Sequence, residues 1–258
     1  MSSKIDRIGE TRINNFGSKM IIVGYRNTMD IDVYFPEYNW TYKGTTYSNF
    51  KIGLIKCPYE KRYYGVGYLG EGKHKSRENG KDTRVYKTWK NMLQRCYDSK
   101  FHEKQPTYKN CKVCDEWLNF QNFAEWYENN YYTVEGETMC LDKDILYKGN
   151  KIYSPENCIF VPKKINSLFV KSNKIRGESP IGTTLHQGKY VAYCHMINPK
   201  TGKSKRKHLG IYDTQEKAFQ VYKYHKENYI KEVADYFKEH IPQKLYNAMY
   251  NYEVEITD

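Results

Sequence analysis

The stretch LDKDILYKGNKIYSPENCIFVPKKIN, residues 141–166, gathers several chemically capable groups into one short segment. Asp142 ends an apolar run, and Asp144 follows with Lys143 between them. Carboxylates at that spacing would share one face of a strand, and carboxylate oxygens are ordinary ligands of hard divalent cations. Lys143 offers a cation rather than a base. An ammonium with a pKa of about 10.4 takes up no proton from water at pH 7 unless burial or positive neighbours depress that value. Elsewhere NPKTGKSKRKH (198–208) packs Lys200, Lys203, Lys205, Arg206 and Lys207 into one turn and strand. Such a tip would track phosphates, with Arg206 reaching a guanine edge. The plainer alternatives are a solvated Asp-Lys-Asp face beside a turn, and a charged hairpin that only discourages edge pairing. Cys111-x2-Cys114 is half of a zinc signature, and buried small thiols are its plainer alternative.

The elements that must position these groups follow from periodicity. MIIVGYR (20–26), DIDVYF (30–35) and TTYSNFKIGLI (45–55) read as strands, with a turn at 36–39. The Gly-rich, basic stretch 62–82 reads as a linker; its glycines lack the strand–Gly–helix context of a phosphate loop. From residue 83 the period becomes helical. Val85, Trp89, Met92, Leu93 and Cys96 form one stripe, and Trp117, Phe120, Phe123, Ala124 and Tyr127 another. A hairpin is expected over 139–148 and 151–154, turning at Gly149-Asn150. The next helix begins either at Ser154-Pro155 or near Pro162, and the two registers stay open. A polar, basic connector covers 171–179. Strands are expected at 181–186, 189–197 and 205–213, then a helix over 214–237 with Ala218, Val221, Tyr222, Tyr229 and Val233 on one side. A short helix follows from 241.

Residues 141–166 resemble the HNH endonuclease motif. The resemblance implies a metal ion, Mg2+ or Mn2+, held by Asp142 and Asn166, with Asn157 tying the loop together. Lys143 stands where that motif carries its catalytic His, so the chemistry would fall to Lys143 itself or to Asp144. The wider pattern W-x2-ML-x-RCY (89–97), VCDEW (113–117), F-x2-F-x2-W (120–126), LDKDIL and YSPENC-x-FVP-x2-IN is similar to a group of bacteriophage proteins described as HNH-like or homing-endonuclease-like. That similarity covers roughly residues 63–170. Some HNH proteins carry a structural zinc around the hairpin, which would combine Cys111 and Cys114 with Cys140 and Cys158. Residues 181–237 resemble the ethylene-response-factor type of DNA-binding domain through GKYVAYCHM, HLGIYDTQEKAF and a strand–strand–strand–helix order. That resemblance implies a sheet facing double-stranded DNA through Lys189 and the basic tip, with a supporting helix. Alternation along the strand is expected to separate Lys189 and Ala192 from Tyr190 and Tyr193.

The totals agree with a polyanionic partner. The chain has 258 residues, a net charge of +12, 27 Tyr and seven Cys. An odd number of irregularly spaced cysteines suits a reducing compartment, and no apolar run is long enough for a bilayer. The expected architecture is α+β in three parts. These are an N-terminal β module (1–70), an HNH-like ββα region with flanking helices (71–177), and a C-terminal three-stranded sheet plus helix (178–258). The expected function is metal-dependent nicking or cleavage of duplex DNA by a monomer in a bacterial host's cytoplasm, at the nucleoid. The alternative is an inactive DNA-binding regulator, architectural factor or phage-encoded inhibitor whose partner is a host protein.

Overall fold

Alternating apolar residues build the first sheet. The computed structural model describes residues 6–170, 179–256 and 258, so the connector expected at 171–179 lies, but for Ser179, outside the described residues. Strands β1 (Thr11–Ile13), β2 (Lys19–Asn27), β3 (Asp30–Phe35) and β4 (Trp40–Thr45) form an antiparallel meander in that order. Ile31, Val33 and Phe35 alternate inward from β3 and pack with Met20, Ile22, Phe50, Ile55 and Cys57. The strand expected over 45–55 is not one. Thr46 accepts from the backbone N–H of Asn49 (3.1 Å) and starts helix α1 (Tyr47–Lys51). A capping hydroxyl overrides the β-rich letters that follow it.

The Gly-rich stretch 62–82 is packed rather than a linker. The Tyr68 N–H donates to the Leu118 carbonyl and the Phe120 N–H to the Tyr68 carbonyl, both at 2.9 Å. A Cβ on Gly67 would strike Leu93, and one on Gly70 would strike Asn119, so glycine lets this backbone lie close to its neighbours. A small ladder of β5 (Arg77–Glu78) and β6 (Lys81–Asp82) leads into α2 (Arg84–Tyr97), then α3 (Ser99–Lys104), β7 (Lys112–Val113) and α4 (Phe120–Asn130). The α2 stripe is buried as expected at Trp89, Met92, Leu93 and Cys96, with Tyr86 in the place expected for Val85. Trp89 Nε1 donates to the Trp117 carbonyl at 2.7 Å, which satisfies a buried indole.

The chain divides into two compact units, Met1–Asn129 and Asn130–Asp258. The expected 71–177 region is therefore shared between them. In the second unit β8 (Met139–Asp142) and β10 (Ile159–Pro162) pair antiparallel, with Asp142 opposite Ile159, and α5 (Lys163–Leu168) follows at once. The hairpin expected over 139–148 and 151–154 is corrected by this pairing. Residues 143–150 are irregular, and β9 (Ile152–Tyr153) is not β8's partner. Of the two helix registers, the one beginning near Pro162 forms. Ser154 caps only a turn, accepting from the Asn157 N–H at 3.4 Å.

β11 (Thr183–His186), β12 (Lys189–Ile197) and β13 (Ser204–Tyr212) make a three-stranded antiparallel sheet. Helix α6 (Gln215–Phe237) begins at Thr214, whose hydroxyl accepts from the Lys217 N–H, and α7 (Gln243–Tyr250) follows. At 23 residues α6 is roughly 35 Å long. Its Phe219 and Tyr222 pack with Cys194 of the sheet. Its Tyr229, Ile230, Val233, Ala234 and Phe237 share a core with Ile145, Ile159, Val161, Ile165 and Leu168. One rigid helix therefore carries both the sheet and the ββα element.

Candidate functional site

Asp142 stands at the end of β8, where the strand gives way to the irregular loop. Its Oδ1 accepts from the backbone N–H groups of Asp144 (2.9 Å) and Ile145 (2.8 Å), so this oxygen caps the turn. Burial, and after it the Asp144 charge, pushes the carboxyl up to about 6, against the pull of the two N–H groups and of Lys143. Desolvation without a full counter-charge has this effect on a carboxylate.

Lys143 does not face outward as a base would. Its side chain is 7% exposed, and Nζ donates to Asp144 Oδ2 and to the Asn150 carbonyl, both at 3.0 Å. The Tyr153 ring lies 6.0 Å from Nζ. Lys143 thus braces the inside of the loop. Asp144 was expected beside Asp142 on one strand face; the strand ends at Asp142, so Asp144 lies in the loop instead, 46% exposed and ion-paired to Lys143.

Asn150 is the loop organiser that sequence reading passed over. Its Nδ2 donates to the carbonyls of Lys143 (2.6 Å) and Ile152 (2.7 Å), and its Oδ1 accepts from the Ile152 N–H (3.2 Å). Asn157 Nδ2 donates to Asn150 Oδ1 at 3.3 Å, so the expected tying residue acts through a second amide. The signal is Gly149-Asn150 itself, since an Asn at a turn can fold its amide back onto the neighbouring backbone. Asn166 is half-buried on α5, a helix that packs against both β8 and β10. The start of α5 is tied down by the Lys163 N–H, which donates to the Thr138 carbonyl (2.8 Å).

The residues fit a hard divalent cation in a limited way. Asp142 Oδ2 and the Asn166 amide are oxygen donors of the kind Mg2+ or Mn2+ accepts alongside several waters. The zinc set is divided between the units, with Cys111 and Cys114 in the first and Cys140 and Cys158 in the second. A different group could hold a metal: donor atoms of His74, Glu125 and Glu128, in the first unit, lie within 4.8 Å of one another.

The basic hairpin has a definite outer face. Lys200, Lys203, Lys205, Arg206 and Lys207 are all exposed, and so is Lys189, which pairs with Asp213 at 3.1 Å. Cross-strand partners share a face, and the register sets Cys194 opposite Lys207 and His195 opposite Arg206. Cys194 packs on α6, so Lys207 takes the helix side and Arg206 the outer side. The basic run therefore splits between two faces. The Arg206 guanidinium lies 3.7 Å over the Tyr193 ring, and His208 meets that ring edge-on. The expected separation of Lys189 and Ala192 from Tyr190 and Tyr193 is also corrected. Lys189 and Ala192 are three residues apart, so plain alternation sets them on opposite faces: Ala192 is fully buried and Lys189 exposed, while the bulge lies in β13, where Leu209 is passed over between His208 and Gly210. The stacking of Arg206 on Tyr193, with His208 beside it, depends on that cross-strand register, which spacing within one strand does not show.

Comparison with protein families, with curated proteins and with solved structures finds no match. Among the described residues no helix is long and apolar enough to cross a membrane. The functional reading rests on the geometry alone.

Proposed function

We propose that this chain binds double-stranded DNA through the outer face of the β11–β13 sheet. The carrying observation is Arg206 stacked on Tyr193 within an exposed basic hairpin. A guanidinium held flat on a ring keeps its N–H edge directed outward at little further entropic cost, the form that pairs with guanine O6 and N7. The exposed Lys200 and Lys203 of the turn supply sequence-independent phosphate contacts, and the net charge of +12 favours the encounter. The test is binding of the full chain to duplex DNA over a salt series. Lys203→Ala should lower the magnitude of the log–log salt slope by about 1, and Arg206→Ala should cost about 1–3 kcal/mol on the preferred site. Salt-independent binding, or binding indifferent to both changes, would sink the reading.

A second reading, metal-dependent strand cleavage, is favoured by the order β8–loop–β10–α5, which carries Asp142 and Asn166 on adjoining elements. A bound Mg2+ or Mn2+ would neutralise phosphate charge there. In this reading Asp142 and Asn166 are its holders, and the exposed Asp144 carboxylate takes the proton from attacking water. Lys143 keeps Asp144 and the loop in place. Plasmid nicking with Mg2+ and Mn2+, abolished by Asp142→Asn while binding persists, is the expected result. Intact supercoiled DNA on targets that are demonstrably bound leaves the binding reading alone standing.

A further inference from the structure

His74 closes the Gly-rich stretch of the first unit and is clamped to α4 at two points. Its N–H donates to Gln121 Oε1 and its carbonyl accepts from Gln121 Nε2, both at 3.0 Å. The imidazole is 6% exposed, with Nε2 3.0 Å from Glu125 Oε2 and Nδ1 3.1 Å from Glu128 Oε1. Gln121, Glu125 and Glu128 recur at helical spacing, so one stripe of α4 supplies both the clamp and the carboxylates. Lys73 Nζ bridges the two carboxylates at 3.1 and 3.7 Å.

Donor inventory makes this arrangement unusual. Only an imidazolium can donate to carboxylates from both ring nitrogens. In the neutral ring one nitrogen turns a lone pair towards a carboxylate oxygen, and a cation between the two relieves that repulsion. Lys73 reaches the carboxylates, but its ion pairs do not include the imidazole. We propose that His74, Glu125 and Glu128 form a site for a divalent transition-metal ion of the Mn2+ or Zn2+ class, which fastens the Gly-rich stretch to α4. One imidazole and two carboxylates suit these ions, whereas an all-oxygen shell suits Mg2+ or Ca2+. Bonds of about 2.0–2.2 Å ask for donors up to roughly 4.4 Å apart. The group's donor atoms span no more than 4.8 Å, and the two Glu side chains, 54% and 57% exposed, can rotate to close the difference. Binding displaces the Lys73 ammonium and takes the lone pair of a neutral ring.

The site lies in the first unit and does not rest on the DNA reading. The experiment uses the full chain carrying Asp142→Asn, which removes the other carboxylate expected to hold a cation. Mn2+ is the probe, because thiolates compete poorly for it, and free Mn2+ is followed by electron paramagnetic resonance. The expected result is one Mn2+ per chain, at least about tenfold weaker in Glu125→Gln/Glu128→Gln, since loss of a ligand costs no less than loss of an outer-shell partner. Lys73→Met should bind more tightly, a gain that misfolding cannot imitate. No binding at millimolar Mn2+, or binding unchanged by the Glu125/Glu128 pair, overturns the proposal. Failure of Lys73→Met to tighten overturns it as well.

Discussion

Replacing Asp142 by Asn should stabilise the second unit at neutral pH and leave it unchanged in acid. A carboxyl that titrates at about 6 when folded and at about 3.9 when unfolded carries an ionised form about 3 kcal/mol less favourable in the native state. The sign follows from the direction of the shift. The native state holds this proton more tightly, so the contribution is fully present below about pH 3.9 and is lost as pH rises to about 6. Asn keeps an oxygen for the N–H groups of Asp144 and Ile145 but carries no charge. The value of about 6 already includes the pull of those two N–H groups, and Asn accepts from them as the neutral acid does. The net gain at pH 7.5 is then about 3 kcal/mol, or about 11 °C in Tm for a unit of this size. Asp142→Ala removes the cap as well and should fall about 1 kcal/mol below Asp142→Asn at every pH. The assay is thermal and urea unfolding in chelating buffer at pH 4 and 7.5. Trp40, Trp89, Trp117 and Trp126 all belong to the first unit. Tryptophan fluorescence is therefore the internal control, while far-UV circular dichroism includes the second unit. A gap between wild type and Asp142→Asn that is absent at pH 7.5, or equal at both pH values, would refute the reasoning.

Two further outcomes follow from the same unit. Lys143→Met should destabilise it by about 1–3 kcal/mol, because the Asn150 carbonyl and Asp144 lose a donor. Lys143→His, too short to reach both, should lose stability without creating nicking, and a stable variant in a urea melt would contradict the bracing role. Gly182→Ala should cost more than about 2 kcal/mol, since Gly182 has a positive φ of 76° and its added Cβ would meet the Tyr222 ring. An unshifted circular dichroism melt would show that the sheet–helix contact yields more easily than this.

Local signals were legible where one element decides the outcome. The α2 stripe, the three C-terminal strands and the Thr214 cap depend on spacing within a few residues, and periodicity finds them. Errors entered where pairing partners decide. β8 passes over nearby β9 to pair with β10, whereas the strand expected over 45–55 gives way to a local signal, the Thr46 cap three residues from its partner. The inward turn of Lys143 depends on Asn150 folding the loop back, which no alternation pattern encodes. The bulge in β13, where Leu209 is passed over beside Gly210 at φ 134°, brings Arg206 and His208 to the Tyr193 face. The His74 group combines a Gly-rich stretch with a helix some fifty residues on (|i−j| = 51 for His74–Glu125), a separation that hides it from any local pattern.

The binding and cleavage readings are coupled by the chain itself. Asn198 organises the hairpin turn, its Oδ1 accepting from the N–H groups of Lys200 (2.9 Å) and Thr201 (3.0 Å). The carbonyl of Pro199 in that turn accepts from Lys164 Nζ at 3.0 Å, and the same ammonium pairs with Glu137 at 2.5 Å. Lys164 belongs to α5, the helix that carries Asn166. At the turn end of β12 the Tyr229 hydroxyl donates to the Ile197 carbonyl and accepts from its N–H, fixing the strand to α6. If the sheet holds duplex DNA as proposed, phosphates tracked by Lys200 and Lys203 pass beside α5 rather than away from it. Lys164→Ala therefore separates the two readings: affinity should fall slightly through one lost charge, while nicking, where present, should fall with it only if register matters.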